Sequence, residues 1–282
     1  MALWFIMKTL VIRALSAAVA VIAVGLIIYF YDVNGLKFLC AVVSILASRE
    51  LARMLFPDGS SLLIKLGFEI LSLLTFATAV LIPLHSTLAF ACISICFFSL
   101  SIFHFRKLEN LAELLLFMGK GVLGLLYVGW MPAMAYRILE IPHGKIWFIT
   151  MLAVVFMGDT FAYLCGMLWG NKKLLPTISP KKTIVGSFGG LLGSSLAGLI
   201  SGLYLLPQVS LFGLIFLSIL TGIFAQFGDL FESLLKRVAQ RKDSGTLMPG
   251  HGGVLDRIDG VLFGAPILLA GALLLQPLFD AI

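Results

Sequence analysis

Nine apolar stretches follow one another along this chain, near residues 10–31, 35–54, 61–83, 86–103, 111–136, 146–169, 186–205, 209–229 and 260–279. Each approaches the roughly 20 residues that a helix needs to cross a bilayer. A segment in lipid must satisfy its own backbone N–H and C=O groups, so runs of this kind fold as helices. The expected fold class is therefore all-α: a polytopic integral membrane protein with about nine transmembrane helices and a cytoplasmic N-terminus. The second run is the least regular, because Arg49, Glu50 and Arg53 intrude on its end. The fifth carries Glu113 and Lys120, so eight spans form the alternative count. Only 12% of the 282 residues are charged and 60% are hydrophobic, against about 25% charged in a soluble domain. No sizeable soluble domain fits beside the spans. Lys8 and Arg13 precede the long run Ala14–Tyr31, which reads as a retained first span and not as a cleaved leader. Cys40, Cys92, Cys96 and Cys165 all lie in apolar stretches and imply no disulfide framework.

Charge orients the spans. With nine of them, one side collects Lys8, Arg13, Arg49, Arg53, Lys65, Arg106, Lys107, Lys172, Lys173, Lys181, Lys182, Lys236, Arg237, Arg241, Lys242 and Arg257. The other side has Lys37, Arg137 and Lys145, and Lys120 lies within a span. The basic side is the cytoplasmic one. The net charge of +6 thus reflects topology, and no nucleic-acid partner is expected.

The chain divides by texture into N-terminal transmembrane helices, 1–145, and a C-terminal membrane region, 146–282, with cytoplasmic loops 170–185 and 230–258. In the latter, Gly158, Ala162, Gly166 and Gly170 recur every four residues, as do Gly186, Gly190, Ser194, Gly198 and Gly202. Such ladders of small residues let helix backbones approach closely in lipid, and they are read as the frame that positions a site.

The longest polar interruption is Ser233–Asp259. With Asp229 and Glu232 just upstream, it holds Asp243, Asp256 and Asp259 interleaved with Lys236, Arg237, Arg241, Lys242 and Arg257, and it contains His251. Carboxylates hold a hard cation through oxygen, and Lys and Arg hold phosphate. The spacing places Asp229, Ser233 and Lys236 on one helix face, with Glu232 also beside Lys236. Asp256 and Asp259 share another face. Asp229 with Asp256 makes a pair of carboxylates from two helices, which suits Mg²⁺ that also binds substrate phosphates. A second polar segment runs from Asp159, about 15 Å inside its span at the helical rise, to Ser179-Pro180-Lys181-Lys182-Thr183. A carboxylate at that depth is costly unless it is paired or faces a polar cavity. Two short-linked spans separate the segments, so the chain returns to the same side. Glu69 and Glu113 lack polar company and are read as structural. Lys181-Lys182-Thr183 lacks the glycine-rich lead-in and the strand of a nucleotide-binding P-loop.

At these residues the chain resembles the phosphatidate cytidylyltransferase (CDP-diacylglycerol synthase) family. That family's signature is S-x-x-K-R-x4-K-D-S-G-x-L-x-P-G-H-G-G-x-L-D-R-x-D. It is matched by Ser233, Lys236, Arg237, Lys242, Asp243, Ser244, Gly245, Pro249, Gly250, His251, Gly252, Gly253, Leu255, Asp256, Arg257 and Asp259. Gly228-Asp229-Leu230-Phe231-Glu232-Ser233, the segment Gly158–Tyr163 and the segment Ser179–Thr183 match the family's other motifs. Val185 stands where the family has a glutamate, and Gly260 where serine is common.

The resemblance implies transfer of a cytidylyl group from CTP to phosphatidic acid, giving CDP-diacylglycerol and pyrophosphate, at the cytoplasmic face of the cell (inner) membrane. It implies catalytic roles for Asp229, Asp256, Lys236, Arg237, Lys242, Asp243, His251 and Asp259. It implies substrate contacts from Asp159, Ser179, Lys181, Lys182, Thr183, Ser233 and Arg257. Mg²⁺ would be held by Asp229 and Asp256, and a second cation such as K⁺ fits the number of carboxylates. Besides CTP, phosphatidic acid and membrane lipid, a homodimer is compatible with this reading. The rivals are a CTP-dependent kinase of polyprenol or dolichol and a transporter of lipid phosphates.

Overall fold

The computed structural model describes the backbone of residues 2–56, 61–105, 110–247 and 252–275, with side chains described from Gly25 onward, Ile28 excepted. The side chains of most of the expected first span, Lys8 and Arg13 among them, are not described, and Arg106, Lys107 and His251 lie outside the described residues. Among the described residues, eight helices are long and apolar enough to cross a membrane: Tyr29–Leu55, Leu62–Leu81, Pro83–His104, Leu111–Ile138, Gly144–Trp169, Ile184–Tyr204, Leu211–Val238 and Leu255–Leu275. They match the second to ninth expected runs in order, and the chain is an all-α polytopic protein.

Local chemistry sets several of the boundaries. Helix α1 (Ala2–Leu55) is broken at Asp32, whose φ of 48° and ψ of −131° are not helical, and the break falls between the first two apolar runs. Ser61 caps α2 (Leu62–Leu81) by accepting the Ile64 N–H at 3.4 Å. Helix α3 covers Ser86–His104. Asn110 caps α4 (Leu111–Gly124) through the Ala112 N–H at 3.1 Å and donates to Glu113 at 3.0 Å. Glu113 therefore serves a helix start, as a structural reading requires. A π-helical turn, Leu125–Trp130, joins α4 to α5 (Met131–Ile138). The Ser44 hydroxyl donates to the Val128 carbonyl in that turn at 2.8 Å.

The chain packs as two units. The first comprises 1–136 with 239–257, and the second 137–238 with 258–282. In the first, Phe56 meets Phe68 and Phe117, and Phe117 also stacks on Phe97. Arg49 lies 3.6 Å from Glu69, which accounts for that carboxylate.

In the second unit, α6 (Gly144–Trp169) and α7 (Ile184–Tyr204) interlock through their small residues. A methyl group added at Gly186 would lie 2.7 Å from the Ala162 carbonyl, and one added at Gly158 would lie 2.6 Å from the Ser194 hydroxyl. The two ladders thus face each other and leave no room for side chains. Between these helices, β1 (Lys173–Leu175) pairs antiparallel with β2 (Ser179–Thr183), Lys173 opposite Thr183 and Leu175 opposite Ser179. This hairpin departs from the purely helical expectation, which treated 170–185 as a loop. Helices α8 (Leu211–Val238) and α9 (Leu255–Leu275) complete the fold.

Candidate active site

Strand β2 carries the basic segment. Side chains alternate along a strand, so Lys181 is exposed while Lys182 turns toward α8. The Lys182 ammonium reaches Asp229 of α8 at 2.7 Å. Ser179 is half-buried. Thr183 is buried and ends the strand as the N-cap of α7, its Oγ1 accepting the Gly186 N–H at 3.0 Å. Arg237, exposed near the end of α8, donates from Nε to the Ile178 carbonyl at 3.2 Å and ties the hairpin turn to that helix.

Helix α8 presents its polar residues on one face, as the spacing predicts. The Ser233 hydroxyl lies 3.5 Å from Asp229 Oδ1, and Lys236 pairs with Glu232 one turn away. Glu232 is 1% exposed, so its carboxylate is stabilised by the lysine it faces. Asp259 of α9 is within electrostatic reach of Asp229, Asp159 and Lys236. Gly228 makes this approach of α9 possible, because a Cβ there would run into the Asp259 carbonyl. The second unit therefore gathers Asp159, Asp229 and Asp259 with Lys182 and Lys236. The two polar segments of the sequence meet here.

The rest of the signature belongs to the first unit. Lys242, Asp243 and Arg257 are exposed. Asp256, in the first turn of α9, turns Oδ2 back onto the loop, where it accepts the Ser244 N–H, the Ser244 hydroxyl and the Gly253 N–H, each at 2.8 Å. Gly252 holds φ at +82°, and a Cβ there would also crowd Asp256 at 2.5 Å. Glu50 of α1 is 6% exposed. It accepts the Val254 and Leu255 N–H groups at 2.9 Å each and lies 3.1 Å from the Ser244 hydroxyl.

Sequence reasoning missed Glu50, treating it as a blemish in a span. Its only signal was a lone carboxylate between Arg49 and Arg53 at the end of an apolar run. It also missed Gln226, whose Nε2 donates to the Ser187 carbonyl at 3.0 Å and whose Oε1 accepts from the Ser187 hydroxyl.

Chemically, lysines beside carboxylates can bind polyphosphate and a hard cation together. Among the described residues, no three His, Cys, Asp or Glu side chains group closely enough to hold a cation alone. The donors fit Mg²⁺ all the same, since that ion takes one or two carboxylates and completes its shell with water and substrate phosphates.

The profile of the Cytidylyltransferase family matches residues 11–274. A phosphatidate cytidylyltransferase of Synechocystis sp. is 33% identical over 295 residues, covering 93% of this chain and 97% of the relative. One from Staphylococcus epidermidis is 45% identical over 115 residues, 41% of this chain and 44% of the relative. One from Brucella abortus is 40% identical over 157 residues, 55% of this chain and 57% of the relative. The chain thus spans about half the length of the Staphylococcus and Brucella relatives it matches, and nearly all of the Synechocystis one.

Proposed function

Because the chain belongs to the cytidylyltransferase family, we propose that it is a phosphatidate cytidylyltransferase. It transfers the cytidylyl group of CTP to phosphatidic acid and releases pyrophosphate, a step of phospholipid biosynthesis. Agreement along 93% of the chain with a relative of that name carries this reading. The Lys182 ammonium 2.7 Å from Asp229, with Lys236, Asp159 and Asp259 in electrostatic reach of the same place, supports it, since two polyanions must be brought together. Neither a polyprenol kinase nor a lipid-phosphate transporter is favoured by the relatives.

Lys181, Lys182, Lys236, Arg237 and Lys242 bind phosphates, with Ser179, Thr183, Ser233 and Arg257 lining the substrate path. An oxygen of the phosphatidate phosphate attacks the α-phosphorus of CTP, the bond to the bridging oxygen of the β-phosphate breaks, and pyrophosphate departs. The phosphate monoester, with a second pKa of about 6, is already largely ionised near neutrality, so positioning and electrostatics dominate over general-base help. On the family resemblance, Asp229 and Asp256 would hold Mg²⁺, and Asp159 would organise the cavity or hold a second cation such as K⁺. Bound with the substrates, Mg²⁺ would neutralise charge developing on the leaving pyrophosphate. Asp243, Asp259 and His251 support the phosphate contacts. Phosphatidate stays in the bilayer while CTP is cytosolic, so the site opens to the cytoplasmic face of the cell (inner) membrane, with the N-terminus on that side. The excess of lysine and arginine on one side of the spans supports that orientation.

The test is a CTP and phosphatidate assay in detergent, with and without Mg²⁺, on the wild type and Asp256→Ala. Activity is expected to need Mg²⁺ and to vanish in the variant. Retained activity in Asp256→Ala defeats the metal-ligand assignment. CDP release with a polyprenol, in place of pyrophosphate release with phosphatidate, makes the chain a lipid kinase instead.

A further inference from the structure

The signature loop is built around a carboxylate that the signature does not contain. Glu50 belongs to α1, 194 residues before Ser244, and its burial is tolerable only because it is fully engaged. Oε1 accepts the Val254 N–H and Oε2 the Leu255 N–H, both at 2.9 Å. These donors sit at the start of α9, where the first backbone N–H groups have no partner within the helix and the helix end favours negative charge. The Ser244 hydroxyl lies 3.1 Å from Glu50 Oε2 and 2.8 Å from Asp256 Oδ2. Its one proton serves one carboxylate at a time, so Ser244 links the two acids directly.

Two signature glycines exist to make room for this anchor. A Cβ at Gly245 would lie 2.5 Å from Glu50 Oε1, and one at Gly253 would land on both the Glu50 carboxylate and the Ser244 hydroxyl. Asp256 Oδ2 takes the Gly253 N–H as well. The orientation of Asp256 therefore depends on a loop that Glu50 holds by two backbone N–H groups and the Ser244 hydroxyl.

We propose that Glu50 is a positioning residue for cytidylyl transfer: from α1 it fixes the backbone at Val254 and Leu255 and, through Ser244, sets the orientation of Asp256. The proposal rests on the reading of the chain as a phosphatidate cytidylyltransferase. It assigns Glu50 no contact with substrate.

The experiment uses the full chain purified in detergent, as wild type, Glu50→Gln, Glu50→Asp and Ser244→Ala. Kinetics are measured with CTP and phosphatidate across a Mg²⁺ titration, and amide hydrogen exchange is followed by mass spectrometry. Glu50→Gln turns an amide N–H₂ toward the backbone donors. It is expected to lower kcat by about 10–100-fold and to raise the Mg²⁺ concentration for half-maximal rate by a similar factor, while the KM for phosphatidate moves less than about threefold. Exchange at Ser244 and at 253–255 should quicken by about tenfold or more, with the α6–α8 peptides unchanged. Glu50→Asp should recover part of the rate. Ser244→Ala should shift the Mg²⁺ dependence the same way even if Glu50→Gln fails to fold. An active wild type beside variants with unaltered kcat and Mg²⁺ dependence overturns the role of Glu50. So does faster exchange spread over the whole chain, which would mark a general stability residue. A wild type that makes no CDP-diacylglycerol overturns the functional reading instead, while the exchange arm still reports whether Glu50 anchors the loop.

Discussion

Removing the link between Lys182 and Asp229, one side at a time and then both, measures how firmly the basic strand is held against α8. The charged atoms are 2.7 Å apart, and the side chains are 24% and 38% exposed. Two unit charges at that separation attract by about 6 kcal/mol at an effective dielectric of about 20. Desolvation and solvent screening take back most of this, Asp229 being more than one-third exposed, so the net coupling is about 1–2 kcal/mol. The assay is a double-mutant cycle on thermal unfolding of Lys182→Met, Asp229→Asn and the double variant in one detergent. Each single change should lower Tm by about 3–8 °C, and the double variant should be no worse than the poorer single. Both singles should also lower kcat/KM for CTP by about 10²–10³-fold, and the double variant should not regain activity, because the proposed mechanism gives Lys182 a phosphate and Asp229 the Mg²⁺ besides each other. Additive losses in the cycle would refute the coupling. Equal activity losses in a Lys172→Met control would refute any special role of Lys182 on its strand.

Gly253→Ala should destabilise the protein by about 1–3 kcal/mol through overpacking, since the new methyl lands on the Glu50 carboxylate. Gly119→Ala should be neutral or stabilising by up to about 1 kcal/mol, since a methyl there meets nothing within 4 Å in mid-helix; thermal melts of the pair check the opposite signs. Thr183→Ala should cost about 1 kcal/mol for the lost cap of α7, and Thr183→Ser should restore it; equal Tm values for the two variants would contradict the capping role.

The membrane helices were legible because bilayer thickness imposes a length, and eight of the expected runs coincide with eight helices. The break at Asp32 was readable as a polar gap between two apolar runs. The hairpin was not. Ser179-Pro180-Lys181-Lys182-Thr183 has no apolar alternation, and it becomes a strand only by pairing with Lys173–Leu175. Within the site, the face of α8 shared by Asp229, Ser233 and Lys236 follows from helical spacing alone. The approach of Lys182 to Asp229 was foreseeable only as a return of the chain to one side of the membrane. Glu50 left no usable trace, because hydrogen bonds to backbone groups two hundred positions away write nothing into local pattern; to a reader of the sequence, a buried carboxylate looks the same as an irregular span end. The glycines Gly245 and Gly253 carried half of that message, marking a close approach without naming what approaches.

The central claim is tested most directly by following both ends of the nucleotide at once. Purified protein is given phosphatidate and CTP labelled separately on the α- and γ-phosphates, and the products are separated. Transfer of the cytidylyl group predicts α-label in the lipid and γ-label in pyrophosphate, in equal amounts and only when phosphatidate is present. Appearance of the γ-label in a lipid, with the α-label left in CDP, would contradict it.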